Sequence, residues 1–174
     1  MQPPDVIRTE RLLLRRPTEA DAAALFGYQS NAEVTLYLAF PTATDISEAY
    51  AFLRRCETVW DEGVAFPLGI INEEGKFVGM IELRPIAHRV QVGYVLTRNE
   101  WGKGYMTEAL SAATDWAFRQ PDVLRVSAFC DIENVGSQRV LEKAGFIREG
   151  MMHRFAIHPN ASSEPRDVVM YARW

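Results

Sequence analysis

The sequence predicts an α+β fold, a mixed and mostly antiparallel sheet of about seven strands flanked by about four helices. Three patterns predict it. Strand-like segments Val64–Asn72, Lys76–Pro85 and Arg89–Thr97 follow one another with only short polar breaks, as in an antiparallel meander. From Gly102-Lys103-Gly104 onward the chain reads helix, strand, helix. Two long strand-like segments joined by the proline-bounded stretch Pro159 to Pro165 then close it as a hairpin.

Each element has a local reason. Residues Ile7 to Arg16 centre on Leu12-Leu13-Leu14 and stop at Pro17, which predicts a first strand. Thr18 caps a helix whose Ala22, Leu25, Phe26 and Gln29 recur at helical spacing, with a polar break at Ser30-Asn31. Asp45 with Glu48 three residues on forms a capping box for a second helix. Its stripe Ile46, Ala49, Tyr50, Leu53, Cys56 and Trp60 ends before Gly63. In the third meander strand, Val90, Val92, Tyr94 and Leu96 share one face. The helix from Tyr105 to Arg119 packs Met106, Ala109, Leu110, Ala113, Trp116 and Ala117 on a sheet. Val123 to Cys130 reads as a strand, and Asn134 caps a helix that stops at Gly145. Phe146 to His158 and Arg166 to Arg173 are the last two strands. No repeat, linker or low-complexity tract interrupts residues 1–174, which predicts a single domain.

Composition narrows the function. Nineteen lysines and arginines against 23 acids leave a net charge of −4, which argues against a nucleic-acid partner. The start lacks a secretory signal and no long apolar run occurs, so neither membrane insertion nor export is expected. Cys56 and Cys130 stand among apolar residues in no metal-like spacing, which suits a reduced cytoplasmic protein without a metal. Asn160-Ala161-Ser162 matches a glycosylation acceptor but carries no weight outside a secreted protein.

The most informative stretch is Trp101-Gly102-Lys103-Gly104-Tyr105-Met106-Thr107-Glu108, where a strand hands over to a helix. Glycine lets the backbone turn sharply and approach a ligand closely, and the unpaired N–H groups of the first helical turn face whatever anion lies there. A strand-to-helix turn with no ligand is the competing reading. A dinucleotide fingerprint would need a third glycine where Thr107 stands.

Together with the order of elements, three segments resemble the GNAT superfamily of N-acetyltransferases, specifically the branch of ribosomal-protein-alanine N-acetyltransferases. They are Thr9-Glu10-Arg11-Leu12-Leu13-Leu14-Arg15, Trp101 to Ala109, and Asn134-Val135-Gly136-Ser137 followed by Glu142-Lys143-Ala144-Gly145-Phe146. The resemblance spans essentially the whole chain and implies a GNAT-like fold, acetyl-CoA as cosubstrate, and a primary amine as acceptor, either a protein N-terminus or a small molecule. It implies that Gly102, Lys103, Gly104, Tyr105, Met106 and Thr107 hold the pyrophosphate. It implies too that Val95, Leu96 and Thr97 lie where the family's central strand parts from its neighbour, so that unpaired backbone groups bond the pantetheine arm and the cofactor acts as an added strand. Asn134 matches the position that contacts that arm, and Ser137 the hydroxyl near the thiol. Asn134 as a plain N-cap and Ser137 as a hydroxyl bonded back into its own helix remain alternatives. Lys103, Arg98, Arg139 and Lys143 are open between surface charge and phosphate contact.

Acetyl transfer needs a neutral amine, so a base must accept the ammonium proton. Glu82, in the apolar run Val78 to Leu83, is the leading candidate, with solvent exposure as its alternative and His153 and His158 as fallbacks. Direct attack in a ternary complex needs no enzyme nucleophile, whereas a ping-pong route would use a cysteine. Leu141 occupies the position where many GNAT enzymes carry a tyrosine acid, so Ser137 or water would have to assist the departing thiolate. A catalytically idle acyl-CoA-binding module is the alternative function. Tyr28, Tyr37, Phe40, His153 and Phe155 are candidates for the acceptor side, and the late hairpin offers an edge for a homodimer.

Overall fold

The computed structural model describes residues 1–174. Eight strands form one sheet in the order β1-β2-β3-β4-β5-β6-β8-β7: β1 (Val6–Arg8), β2 (Leu12–Arg15), β3 (Phe66–Asn72), β4 (Phe77–Ile86), β5 (Arg89–Leu96), β6 (Arg125–Asp131), β7 (Ile147–Ala156) and β8 (Arg166–Arg173). Only β5 and β6 run parallel, with α4 (Tyr105–Phe118) as their crossover. The other helices are α1 (Ala22–Gln29), α2 (Ala32–Thr35), α3 (Ile46–Asp61) and α5 (Val135–Lys143).

The extra strand and the extra helix both come from local side-chain chemistry. The single strand expected over Ile7 to Arg16 is a tight hairpin instead. At its turn the Thr9 N–H bonds the Leu12 carbonyl (3.0 Å) and the Leu12 N–H bonds Thr9 Oγ1 (2.8 Å). At the polar break, Asn31 Oδ1 accepts from the Glu33 and Val34 N–H groups at 3.0 and 3.2 Å and so starts α2. The capping box on α3 forms as expected, Ser47 N–H to Asp45 Oδ1 at 2.8 Å and Asp45 N–H to Glu48 Oε1 at 3.1 Å.

The sheet buries both faces. On one, Ile81, Leu83, Val90, Val92 and Leu96 pack against Met106, Ala109, Leu110, Ala113 and Ala117 of α4 and Leu141 of α5. On the other, Met80 packs with Ala22, Leu25 and Tyr28 of α1 and Ala49, Leu53 and Cys56 of α3. Apolar alternation along β4 and β5 therefore serves two layers at once. Strand β7 is the exposed edge, with Ile147, Met151, Met152 and Phe155 open to solvent. No helix is long and apolar enough to cross a membrane.

Candidate active site

Strands β5 and β6 pair only at Arg89–Gln91 with Arg125–Ser127. Beyond that point β5 stays with β4 as far as Leu96 opposite Gly79, and β6 with β8 as far as Asp131 opposite Val168. The parallel pair thus opens into a wedge, and a cavity of about 490 Å³ occupies it. Val92 to Val95 line one wall, Phe129 to Asp131 the other, and Asn134 and Ser137 the α5 side.

Strand parity decides which main-chain groups the wedge presents. The Thr97 N–H bonds the Val78 carbonyl (2.8 Å), and the Val95 carbonyl points at Gly79, 2.3 Å from where a Cβ there would sit. Both residues turn their main chain toward β4, so Tyr94 and Leu96 turn theirs toward the wedge. The Leu96 carbonyl already accepts the Trp101 indole N–H at 2.8 Å.

Past the end of β5 and outside the cavity lining, Gly102 (φ 80°) and Gly104 (φ 83°) both adopt the left-handed conformation that a side chain disfavours. Gly104 is the N-cap of α4 and carries no side chain to bond the first-turn N–H groups, which leaves them free for an anion. The loop is braced from the first hairpin. Arg11 Nη1 bonds the Lys103 carbonyl (3.0 Å), while Thr9 Oγ1, the Arg11 N–H and Arg11 Nε all converge on the Glu108 carboxylate at 2.6, 2.9 and 2.8 Å. Burial pushes the Glu108 carboxyl up, but the Thr9 and Arg11 donors outweigh it and hold it below the usual range. Lys103 points outward and pairs with Glu100 at 2.8 Å, and Arg98 pairs with Glu33 at 2.8 Å.

On α5, Asn134 Oδ1 accepts the Ser137 N–H at 3.1 Å, so the side-chain carbonyl caps the helix and the amide NH2 stays free. The Ser137 hydroxyl makes no bond to its own helix; it lies 2.7 Å from the Tyr94 hydroxyl. Cys130 lines the facing β6 wall, buried, with its thiol pushed up to about 11 by that burial against a partly opposing hydrogen bond from Ser137, and Cys56 is a packing residue under α3.

Toward the other end, Glu82 lines the cavity and is largely shielded from solvent, accepting from Arg84 Nε with Arg55 Nη1 at 4.0 Å. His158 lines the same cavity, buried, with no hydrogen bond to either ring nitrogen within 3.5 Å. Burial lowers its proton affinity, only partly offset by Asp131, whose Oδ2 is 3.7 Å from Nε2. Asp131 is fully buried; burial alone would raise its carboxyl, but Arg166 (Nε to Oδ2, 2.6 Å) and the Glu133 N–H (2.9 Å) keep it below its ordinary value. His153 lies outside the cavity, exposed and paired with Asp167 at 2.9 Å. Tyr28, Tyr37 and Phe40 line the cavity, whereas Phe155 packs on Phe129 from outside it.

Asn160, unweighted in the sequence, holds the cavity roof. Its Nδ2 donates to the Thr35 and Phe40 carbonyls at 2.8 and 2.9 Å, and its Oδ1 accepts from the Thr42 N–H (2.9 Å) and hydroxyl (3.2 Å). Asn160→Asp turns a carboxylate oxygen against two carbonyls. It is expected to cost about 2 to 3 kcal/mol by chemical denaturation, with Asn160→Gln milder. Wild-type stability in Asn160→Asp would show that the roof is held elsewhere.

Residues 11–147 match the family model described as acetyltransferase (GNAT) domain. An uncharacterized N-acetyltransferase p20 from Bacillus licheniformis is 31% identical, over 97% of this chain and 95% of its own length. Among solved structures, an acetyltransferase (GNAT family) from Bacillus anthracis is 28% identical with a TM-score of 0.85, covering 97% of each chain. RimL, a ribosomal L7/L12 alpha-N-protein acetyltransferase solved in complex with coenzyme A, shares the fold at 24% identity with a TM-score of 0.85, again over 97% of each chain. With a wedge between its parallel strands and a glycine-capped helix following the first of them, the chain belongs to the GNAT family of acetyltransferases.

Proposed function

We propose that the protein transfers an acetyl group from acetyl-CoA to a primary amine, a protein N-terminus or a small molecule, by direct attack within a ternary complex. The observation that carries this reading is the parting of β5 from β6, with β5 leading within a few residues into an α4 N-terminus whose N-cap, Gly104, has no side chain to satisfy the first turn. First-turn N–H groups from Gly104 to Thr107 suit the pyrophosphate, with Gly102 and Lys103 shaping the loop. The wedge-facing main chain of Tyr94 and Leu96, flanked by Val95 and Thr97, suits the pantetheine amides. The free NH2 of Asn134 is placed to donate to the same arm, as its capping role uses only the oxygen. RimL's complex with coenzyme A supports the choice of donor.

In this reading Ser137 hydrogen-bonds the thioester sulfur as it departs, and Glu82 takes the ammonium proton directly or through water. A second reading of the base has its own support. Glu82 is engaged by Arg84, whereas burial favours the neutral, proton-accepting form of the His158 imidazole, which has Asp131 as a charged neighbour only at 3.7 Å. Glu82→Gln and His158→Gln separate them. The variant that removes the base is expected to lose about a hundredfold in kcat, and the other to change mainly the KM for the amine. A His158 base also predicts an acidic limb in kcat/KM that midpoints below the ordinary histidine value of about 6.5 and disappears in His158→Gln. Full turnover in both variants would place the base elsewhere.

A further inference from the structure

The Ser137 hydroxyl meets a side chain from β5. Tyr94 lies on β5, 43 positions away in sequence, and its hydroxyl oxygen sits 2.7 Å from Ser137 Oγ and 3.2 Å from the Ser137 carbonyl. The phenol carries a single proton for two acceptors, the Ser137 carbonyl and Oγ; either hydroxyl can donate in the shorter Oγ contact, and the phenol's proton suits Oγ as the nearer acceptor. Burial pushes Tyr94 well above the ordinary phenol range, so it stays a donor at any working pH. Ser137 Oγ, once it accepts that proton, must direct its own hydrogen elsewhere. No carbonyl of α5 takes it: the Ser137 side chain has no bond into its own helix. The directions left to it are the neighbouring Cys130 thiol and the cavity that Tyr94, Ser137 and Cys130 all line.

We propose that Tyr94 is a positioning residue that donates to Ser137 Oγ and thereby fixes the serine hydrogen toward the sulfur of the bound thioester. This rests on the reading of Ser137 as the sulfur's hydrogen-bond donor. When the carbon–sulfur bond breaks, its electron pair goes to sulfur, and the Ser137 hydrogen bond stabilises the thiolate until it takes a proton from water. Tyr94 and Ser137 each keep their own proton throughout. Without Tyr94 the serine hydroxyl would rotate freely or turn back to a helix carbonyl, and its alignment would be lost.

The test combines turnover with binding. Tyr94→Phe removes one oxygen and is expected to lower kcat about tenfold while the KM for acetyl-CoA is unchanged. In a Ser137→Ala background the same substitution is expected to do nothing further. A binding readout runs in parallel. At a pH high enough for the coenzyme A thiol to be mostly thiolate, well above the cysteine value of about 8.5, Tyr94→Phe and Ser137→Ala are each expected to weaken coenzyme A binding about tenfold by calorimetry and to leave desulfo-coenzyme A unaffected. A loss of packing would weaken both ligands alike, and that result would overturn the proposal. So would wild-type turnover in Tyr94→Phe, or equal losses from it with and without Ser137. If Ser137→Ala itself turns over normally, the underlying reading of Ser137 fails and this inference falls with it; if only Tyr94→Phe is normal, the Ser137 reading survives alone.

Discussion

Arg166→Met is expected to destabilise the protein by about 3 to 5 kcal/mol, the cost of stripping the partner from a buried charge. For a chain of this size that corresponds to a melting temperature lower by about 10 °C. The Arg166 guanidinium meets Asp131 at 2.6 and 3.1 Å and Glu133 Oε2 at 2.7 Å, while Asp131 has no exposed surface. In the variant Asp131 keeps only the Glu133 N–H bond and the neighbouring imidazole. The sign of the pH dependence should invert. In the wild type the depressed Asp131 carboxyl contributes stability that is complete above its unfolded pKa, about 3.9, and is lost as pH falls through the lower folded value. Without Arg166, burial is opposed only by the Glu133 N–H and the neighbouring imidazole, and is expected to raise the folded pKa above the unfolded one. The carboxyl's contribution is then present below about pH 3.9 and lost as pH rises through the raised folded value. The variant's deficit against wild type is therefore expected to shrink on acidification. A loss under 1 kcal/mol with an unchanged pH slope would mean that the buried carboxylate finds compensation the fold does not display.

Gly104→Val is expected to reduce acetyl-CoA affinity by about a hundredfold or more with a smaller effect on stability. At φ 83° and ψ −1° a β-branched residue is a steric outlier, and the left-handed conformation costs an ordinary residue about 1 to 2 kcal/mol. The backbone relieves this by rotating, which turns the first-turn N–H groups of α4 off their common direction and shifts the Lys103 carbonyl from Arg11 Nη1. Gly104→Asn is the control, because asparagine tolerates the left-handed region and should retain most of the affinity. The space around a Cβ at this position is ordinary, its nearest neighbour being Arg11 Nη2 at 3.4 Å. Conformation, not crowding, therefore carries the effect. Equal binding by the valine and asparagine variants, measured calorimetrically, would remove the cradle from the account.

What the sequence made legible is what depends on neighbours in the chain. The need for glycine at 102 and 104, the Asp45–Glu48 capping box and the Asn134 cap are local requirements, and each could be read from residue types a few positions apart. The split of the first strand at Thr9 was hidden because both halves are apolar, and α2 because four residues leave no periodicity. The wedge was expected on Val95, Leu96 and Thr97, but which of them face it is a matter of strand parity against β4, which composition does not encode. Glu108 read as a polar position off the packing stripe, yet it anchors the first hairpin across 97 residues. Tyr94 read as a core residue of β5, and its partnership with Ser137 exists only because α5 folds back over that strand. The same holds for Asp131 with Arg166 and for Asn160 with the roof, pairings that only the tertiary fold brings about.

The most direct test of acetyl transfer is the release of thiol from acetyl-CoA by the intact protein, followed with a panel of small primary amines and peptides with free N-termini. Release that requires an amine, saturates with it and drops in Ser137→Ala is the expected result. Calorimetric binding of acetyl-CoA with no amine-dependent release from any member of the panel would contradict it and leave a module that holds the cofactor without using it.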